Sequence, residues 1–213
     1  MNCCQCQGIE SVFDRKVAAR ELEDYRRNGP NKTTRILIEA LKTGTIDGLS
    51  LLDIGGGVGA IQHALLKAGA GSAVNVDAST SYIRVAKEEA ERQGHAGSVT
   101  YHHGNFVDLA PQISPADIVT LDRVICCYHD MPALVDVSAT KARKFYGLVY
   151  PRDTWWMKLA IPILNVGLRL RGNSFRVFVH STQAVDAILR RNGLQRRFYY
   201  RTIFWQVVVY ARL

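Results

Sequence analysis

The sequence has no internal repeat, no low-complexity tract and no block of like charge, which argues against a solenoid, a disordered tail or a polyelectrolyte arm. It also lacks a membrane-length apolar run. The most apolar segment, Thr154 to Leu168, is too short and is interrupted by Pro162. No apolar core follows a charged start, so a secretory signal is not expected and a reducing cytoplasm is. Acids are scarcer than bases, 19 against 27, for a net charge of +8. The bases are scattered, however, from Arg15, Lys16 and Arg20 to Arg196, Arg197 and Arg201, and no aromatic-interleaved basic stripe exists. No nucleic-acid partner is expected; the charge reads as solvated faces that attract anionic ligands. What remains is 213 residues, 47% hydrophobic and 22% charged, enough for one substantial core.

The five cysteines form two clusters, Cys3, Cys4 and Cys6, then Cys126 and Cys127. Their odd number and adjacency do not make an extracellular disulfide framework. Cys3 and Cys6 are spaced as one C-x₂-C pair, but without a second such pair or a nearby histidine they do not complete a zinc site, and no metal ligand is assigned. A soft-ligand role for the first cluster, such as trapping arsenite, stays open. Small buried residues after a strand are the simple reading of the second.

Residues 10 to 42 read as helical, broken at Asn28-Gly29-Pro30, with Thr33 as a candidate cap and Gly44 as a stop. From residue 45 the pattern alternates. Strands are expected at "LSLLDI", "SAVNVD", "SVTYHHGNF", "ADIVTLDRVI" and "KFYGLVYP". Helices are expected over 58–68, over 79–94 with Ser79 at the cap, and over 131–141. Strand–helix alternation at this spacing predicts a parallel sheet covered on both faces, with ligands at the carboxyl ends of the strands. "FRVFVH" looks like another strand, followed by a helix after Thr182. "QRRFYYRTIF" and "WQVVVYARL" then run almost into each other, which predicts an antiparallel pair.

The strongest local signal is "LLDIGGGVGAIQHALL" at 51–66, with Asp77 closing the next strand. Gly55, Gly57 and Ala60 fit the G-x-G-x-x-A dinucleotide pattern, with Asp77 as the ribose acid. Asp53, Gly55, Gly57 and Gly59 fit equally well, and without a gap, the acid-plus-alternating-glycine loop of another family. On these residues the chain resembles the class I S-adenosylmethionine-dependent methyltransferases. The closing strand pair and the leading helical segment strengthen that resemblance.

The resemblance implies an α/β, Rossmann-like class I methyltransferase fold. It would have a mostly parallel seven-stranded sheet, a C-terminal antiparallel pair and helices on both faces. Residues 1–44 would be a helical arm or lid, and 45–213 the cofactor-binding domain. It implies S-adenosylmethionine as cofactor, held by Asp53, Gly55, Gly56, Gly57, Gly59, Asp77, Ala78, Asn105, Phe106, Asp122 and Arg123. Asp77 would accept from both ribose hydroxyls. Asn105 of "GNF" stands where the family has an aspartate for the adenine amino group, and Phe106 or a neighbour would stack on adenine. "LDRVICCYHD" falls where the family delivers residues to the methyl. "LDRVICCY" and "SFRVFVHSTQAVDAILRRNGL" are similar to segments of the magnesium-protoporphyrin O-methyltransferase group, although the start "MNCCQCQGIE" is foreign to it.

Methyl transfer asks the protein to align and desolvate, and to deprotonate an acceptor that is not already ionised. His129, after the fourth strand, and His180 are the candidate bases; Tyr128 and Tyr25 are candidate walls for a small-molecule acceptor. The segment 151–175 inserts after the fifth strand. It reads as a cover over an apolar or planar acceptor, or as peripheral membrane contact through Trp155, Trp156, Lys158, Arg169 and Arg171. Three alternatives stand beside O-, S- or carboxylate methylation of a small molecule: thiol or arsenite methylation using the cysteines, a nicotinamide-dependent oxidoreductase, and a binding protein without turnover. Nothing in the sequence sets the oligomeric state.

Overall fold

The structure, a computed structural model, describes residues 4–170 and 172–212. Three helices open the chain: α1 (Cys4–Val12), α2 (Arg15–Asn28) and α3 (Lys32–Leu41). The expected continuous helix from residue 10 is thus broken before Asp14. That carboxylate accepts from the backbone N–H groups of Lys16 at 2.8 Å and Val17 at 3.0 Å, and so starts a new helix. Asn31, not Thr33, caps α3 by accepting from the N–H of Thr34 at 3.2 Å; Thr33 is buried inside the first turn.

The alternating part follows as β1 (Ser50–Ile54), α4 (Ala60–Lys67), β2 (Ser72–Asp77), α5 (Thr80–Arg92) and β3 (Val99–His103). Next come α6 (Phe106–Leu109), β4 (Ala116–Asp122), α7 (Met131–Thr140) and β5 (Ala142–Pro151). The chain ends with α8 (Trp155–Leu170), α9 (Thr182–Arg191), β6 (Leu194–Arg201) and β7 (Trp205–Arg212). "FRVFVH" is not a strand. It runs as irregular chain, fixed by a bond from the Phe178 N–H to the Cys126 carbonyl at 2.7 Å.

The seven strands lie in the order β3-β2-β1-β4-β5-β7-β6. Pairing is parallel from β3 to β5, and β7 inserts antiparallel between β5 and β6. This is the expected seven-stranded mixed sheet. It is not the all-parallel 3-2-1-4-5-6 sheet of the dinucleotide fold, which disfavours the nicotinamide alternative. Strand order reverses between β1 and β4, so the ligand crevice belongs at their carboxyl ends.

Alternation along each strand sorts the core onto two faces. Leu51, Ile118, Val149, Val207 and Val209 pack with Leu37, Ile38 and Leu41 of α3 and with Ile61 and Leu65 of α4. Leu52, Val119, Leu148 and Val208 pack with Leu134 and Val135 of α7 and Val185 and Leu189 of α9. α3 therefore belongs to the main core. Only α1 and α2 have the character of an arm, with Ala18 and Leu22 of α2 packed on Tyr82 and Val85 of α5.

A buried carboxylate pins that arm. Glu89 of α5 is fully buried and accepts from Arg26 at 2.8 Å, from Arg92 at 2.6 and 2.9 Å, and from Gln93 at 2.6 Å. Burial alone pushes its pKa up, but these donors outweigh it and hold the carboxyl down at about 2. A depressed folded pKa means that the stabilisation is present above the unfolded carboxylate range and is lost as pH falls towards 2. Glu89→Gln should lower the unfolding free energy by about 2 kcal/mol at neutral pH, from the loss of charge-assisted bonds. Limited proteolysis should then cut first between α2 and α3, and equal stability with an unchanged cleavage pattern would contradict this role.

Candidate active site

A cavity of about 570 Å³ opens at the carboxyl ends of β1, β2 and β4, where the topology places a ligand. Its floor is the β1–α4 turn. Gly55 has φ +65, and a β-carbon there would collide with Val124; Gly57 has φ +56 and faces the cavity, with only the Tyr82 ring 3.9 Å from a built β-carbon. Gly56 and Gly59 have another reason to be glycine. Side chains there would strike Asn75 and Gln62, so close strand–helix packing accounts for them. Helix α4 begins at Ala60, two residues later than expected, because Gly59 is left-handed.

Two carboxylates frame this floor. Asp77 ends β2 and accepts from the Gly57 N–H at 3.0 Å and the Ser79 N–H at 2.8 Å. Each oxygen keeps a second lone pair, and burial raises its pKa to about 6. Asp53 in β1 accepts from the Thr120 hydroxyl at 2.7 Å through one oxygen. Its other oxygen is buried without a partner, and burial raises its pKa to about 7, with Asp122 and Asp77 adding repulsion. An unpartnered carboxylate oxygen in such a place suits a cation or a hydrogen-bond donor.

The opposite wall is largely apolar. Phe13, Val124, Met157, Ile161, Phe175 and Trp205 line it, from α2's leading turn, the β4–α7 link, α8, the segment after it and β7. Glu21 of α2 also lines the cavity and accepts from the Tyr82 hydroxyl at 2.6 Å. Burial, then the Glu21 charge, pushes the Tyr82 pKa far up and keeps that hydroxyl protonated.

The expected site residues divide between this cavity and elsewhere. Asp53, Gly55, Gly56, Gly57, Asp77, Ala78, Asn105, Phe106, Asp122, Arg123 and Tyr128 all line it, and Gly59 adjoins it. Asn105 spends its amide oxygen on the Val107 N–H at 3.3 Å, capping α6, and donates to the Tyr128 hydroxyl at 3.2 Å. Phe106 is buried in the core beneath α7, showing the cavity only an edge of its site. Asp122 and Arg123 turn towards the start of α3. The Thr34 hydroxyl donates to Asp122, whose pKa burial raises, and the Arg123 guanidinium donates to Asn31 and to Thr33 at 2.8 Å. Arg123 also lies over the Trp205 ring at 4.9 Å and has φ +61, alone among the described non-glycine residues.

Neither histidine lines the cavity. His129 is exposed, beside its neighbour Tyr128. His180 is half-buried, 2.8 Å from the Ile125 carbonyl and 3.2 Å from that of Tyr128, which suits anchoring the irregular segment; burial lowers its pKa. Tyr25 packs on Gln93, away from the cavity. Cys126 and Cys127 do line it, their sulfurs 3.9 Å apart. The Cys127 hydrogen bond and burial push the Cys126 thiol up, against a nucleophilic role. Cys3 and Arg171 lie outside the described residues, as do the side chains of Cys4 and Cys6. Glu21, Asn31, Thr34 and Trp205 were missed, since each comes from a segment with no motif of its own.

Residues 51–143 match the methyltransferase domain family. That stretch is similar to a methyltransferase domain and is under half of the chain. Among solved structures, the magnesium protoporphyrin IX methyltransferase of Synechocystis PCC 6803, with bound S-adenosylhomocysteine, superposes with a TM-score of 0.73. The match has 19% identity and covers 96% of this chain and 98% of that one. An O-methyltransferase family 2 protein from Planctomyces limnophilus, in complex with apigenin, matches with a TM-score of 0.68. Its identity is 16%, over 93% of this chain and 62% of that one. At these identities the likeness is one of fold, the class I S-adenosylmethionine-dependent methyltransferase fold. A ribosomal protein L11 methyltransferase of Neisseria meningitidis is 44% identical over 64 residues, 30% of this chain. That match spans only 22% of the curated relative's length.

The two kinds of glycine separate experimentally. Gly57→Val should leave the fold intact, at a backbone cost of about 1–2 kcal/mol, and weaken S-adenosylhomocysteine binding at least a hundredfold by filling the cleft. Gly55→Val, which meets Val124, should lower the thermal midpoint more. Thermal unfolding with ligand titration checks both, and normal binding by the Gly57 variant would remove the loop from the cofactor site.

Proposed function

We propose that this chain is an enzyme that transfers a methyl group from S-adenosylmethionine to an oxygen of an apolar small molecule. The observation that carries the reading is one cavity with two unlike walls. Asp77, the loop amides and the orphaned Asp53 oxygen stand on one side, and a mostly hydrocarbon surface on the other.

The residues present fit the cofactor. Asp77 would take the ribose hydroxyls with its free lone pairs, and the buried Asp53 oxygen gains the donor or cation it lacks. Asn105 and the edge of Phe106 would border the adenine. S-adenosylmethionine bound there supplies an electrophilic methyl on a sulfonium, with a neutral leaving group. The chain's own part is mainly positional. Phe13, Met157, Phe175 and Trp205 exclude water and hold the acceptor in line. With neither histidine in the cavity, the proton-accepting side chains facing it are carboxylates, and Glu21 is the one on the apolar side. An acceptor that arrives ionised needs none of them. Arg123, held in place by Asn31 and Thr33, is the cation beside which an ionised oxygen would sit. These features favour carboxylate or acidic hydroxyl acceptors over amines.

Titration calorimetry with S-adenosylmethionine, S-adenosylhomocysteine and NADH is the direct test; the first two should bind and the third should not. Affinity should also depend on pH. Asp53 and Asp77 have folded pKa values raised to about 7 and about 6, and bound ligand favours their ionised forms. Binding therefore releases protons and weakens as pH falls through that window, by at least about tenfold between pH 7 and pH 5. Asp77→Asn should bind weakly at pH 7 and lose part of this slope. A pH-independent affinity would remove both carboxylates from the cofactor site.

A further inference from the structure

Helix α8 has two apolar sides. Met157, Ile161 and Leu164 face the cavity, as a cover should. The other side is as apolar and is left exposed by the described residues. Trp155, Leu159, Ile163, Val166 and Leu170 recur at intervals of four, four, three and four, which places them in one stripe. They are 75, 62, 73, 57 and 84% exposed. Ile203 and Phe204, exposed at the tip between β6 and β7, extend the patch, since Trp156 packs edge-on against Phe204 at 5.5 Å. Contiguous exposed hydrocarbon of this kind marks an interaction site.

We propose that this face docks in the plane of an anionic lipid bilayer. Charge selects the occupant. The sequence has no acid between Asp153 and Asp186, while Lys158 and Arg169 on α8 and Arg201 beside the hairpin tip are exposed cations around the stripe. A second copy packed on the same stripe would bring these cations against one another with no acid to offset them. An anionic headgroup layer offsets all of them. No described helix is long and apolar enough to cross a membrane, so α8 lies along the surface. The cavity mouth is then presented to the bilayer, where an apolar acceptor would be concentrated. The docking itself stands on the stripe and its charges, and does not require the methyl-transfer reading.

Flotation of the full chain with vesicles tests this. It should co-float with vesicles of phosphatidylcholine and phosphatidylserine, less with phosphatidylcholine alone, and less at high salt. Leu159→Glu with Ile163→Glu, neither of which lines the cavity, should cut partitioning at least about tenfold. Lys158→Glu with Arg169→Glu should do so only on the anionic vesicles. Unchanged S-adenosylhomocysteine binding by each variant would show that the cleft is intact. No co-flotation of the unaltered chain, or co-flotation indifferent to the first pair, overturns the proposal. So does self-association that the first pair abolishes in a chain that ignores vesicles. Vesicle binding by an unaltered chain that transfers no methyl group would count against the enzyme reading instead.

Discussion

Three carboxylates at one edge of the sheet constrain everything around them. Asp53, Asp77 and Asp122 come from the carboxyl ends of β1, β2 and β4, neighbours by topology, and burial pushes all three towards the neutral form. Each is offset differently: backbone amides for Asp77, one hydroxyl for Asp53, a hydroxyl and the Arg123 charge for Asp122. The largest remaining deficit sits at Asp53, whose outer oxygen has no partner, whereas the Asp122 oxygen that lacks a hydrogen bond still has Arg123 at 3.9 Å. A site with a fixed electrostatic deficit is already arranged for the ligand that removes it, which is how a scaffold favours binding without moving.

The arrangement also separates tasks by segment. Parallel strands and their turns, regular and deeply packed, hold the polar floor. The apolar wall is made of pieces outside the strand–helix alternation: the leading arm, the segment around α8 and the hairpin tip. Arg123 joins the two halves. Its left-handed backbone turns the chain out of β4, and its guanidinium reaches α3 on one side and the Trp205 ring on the other. Strain at such a position persists only where surrounding contacts over-determine it.

The sequence was most legible where function is local. The glycine loop and Asp77 lie within 25 residues of each other and carry their own spacing, so the floor could be read directly. The closing antiparallel pair could be read as well, because two strands with almost no connection have few ways to pair. The apolar wall was not legible in the same way. Glu21, Asn31 and Trp205 meet across most of the chain, and no periodicity records a contact of that range. The histidines misled for a related reason: His129 follows the right strand, but the turn at Ile125–Cys127 intervenes and leaves it outside. "FRVFVH" alternates like a strand, yet β7 fills the place beside β5, and the Phe178 N–H bonds the Cys126 carbonyl instead of a strand.

That filled place has a consequence for how the protein comes into being on the ribosome. β7 is threaded between β5 and β6, so neither the hairpin nor Trp205 can take position until β7 has left the exit tunnel. A nascent chain can lay down β1 to β5 and the polar floor well before that. It has no far wall, however, and Arg123 has no ring to rest on. The site is therefore completed all at once, when β7 inserts, and that strand acts as a timer on the newborn polypeptide.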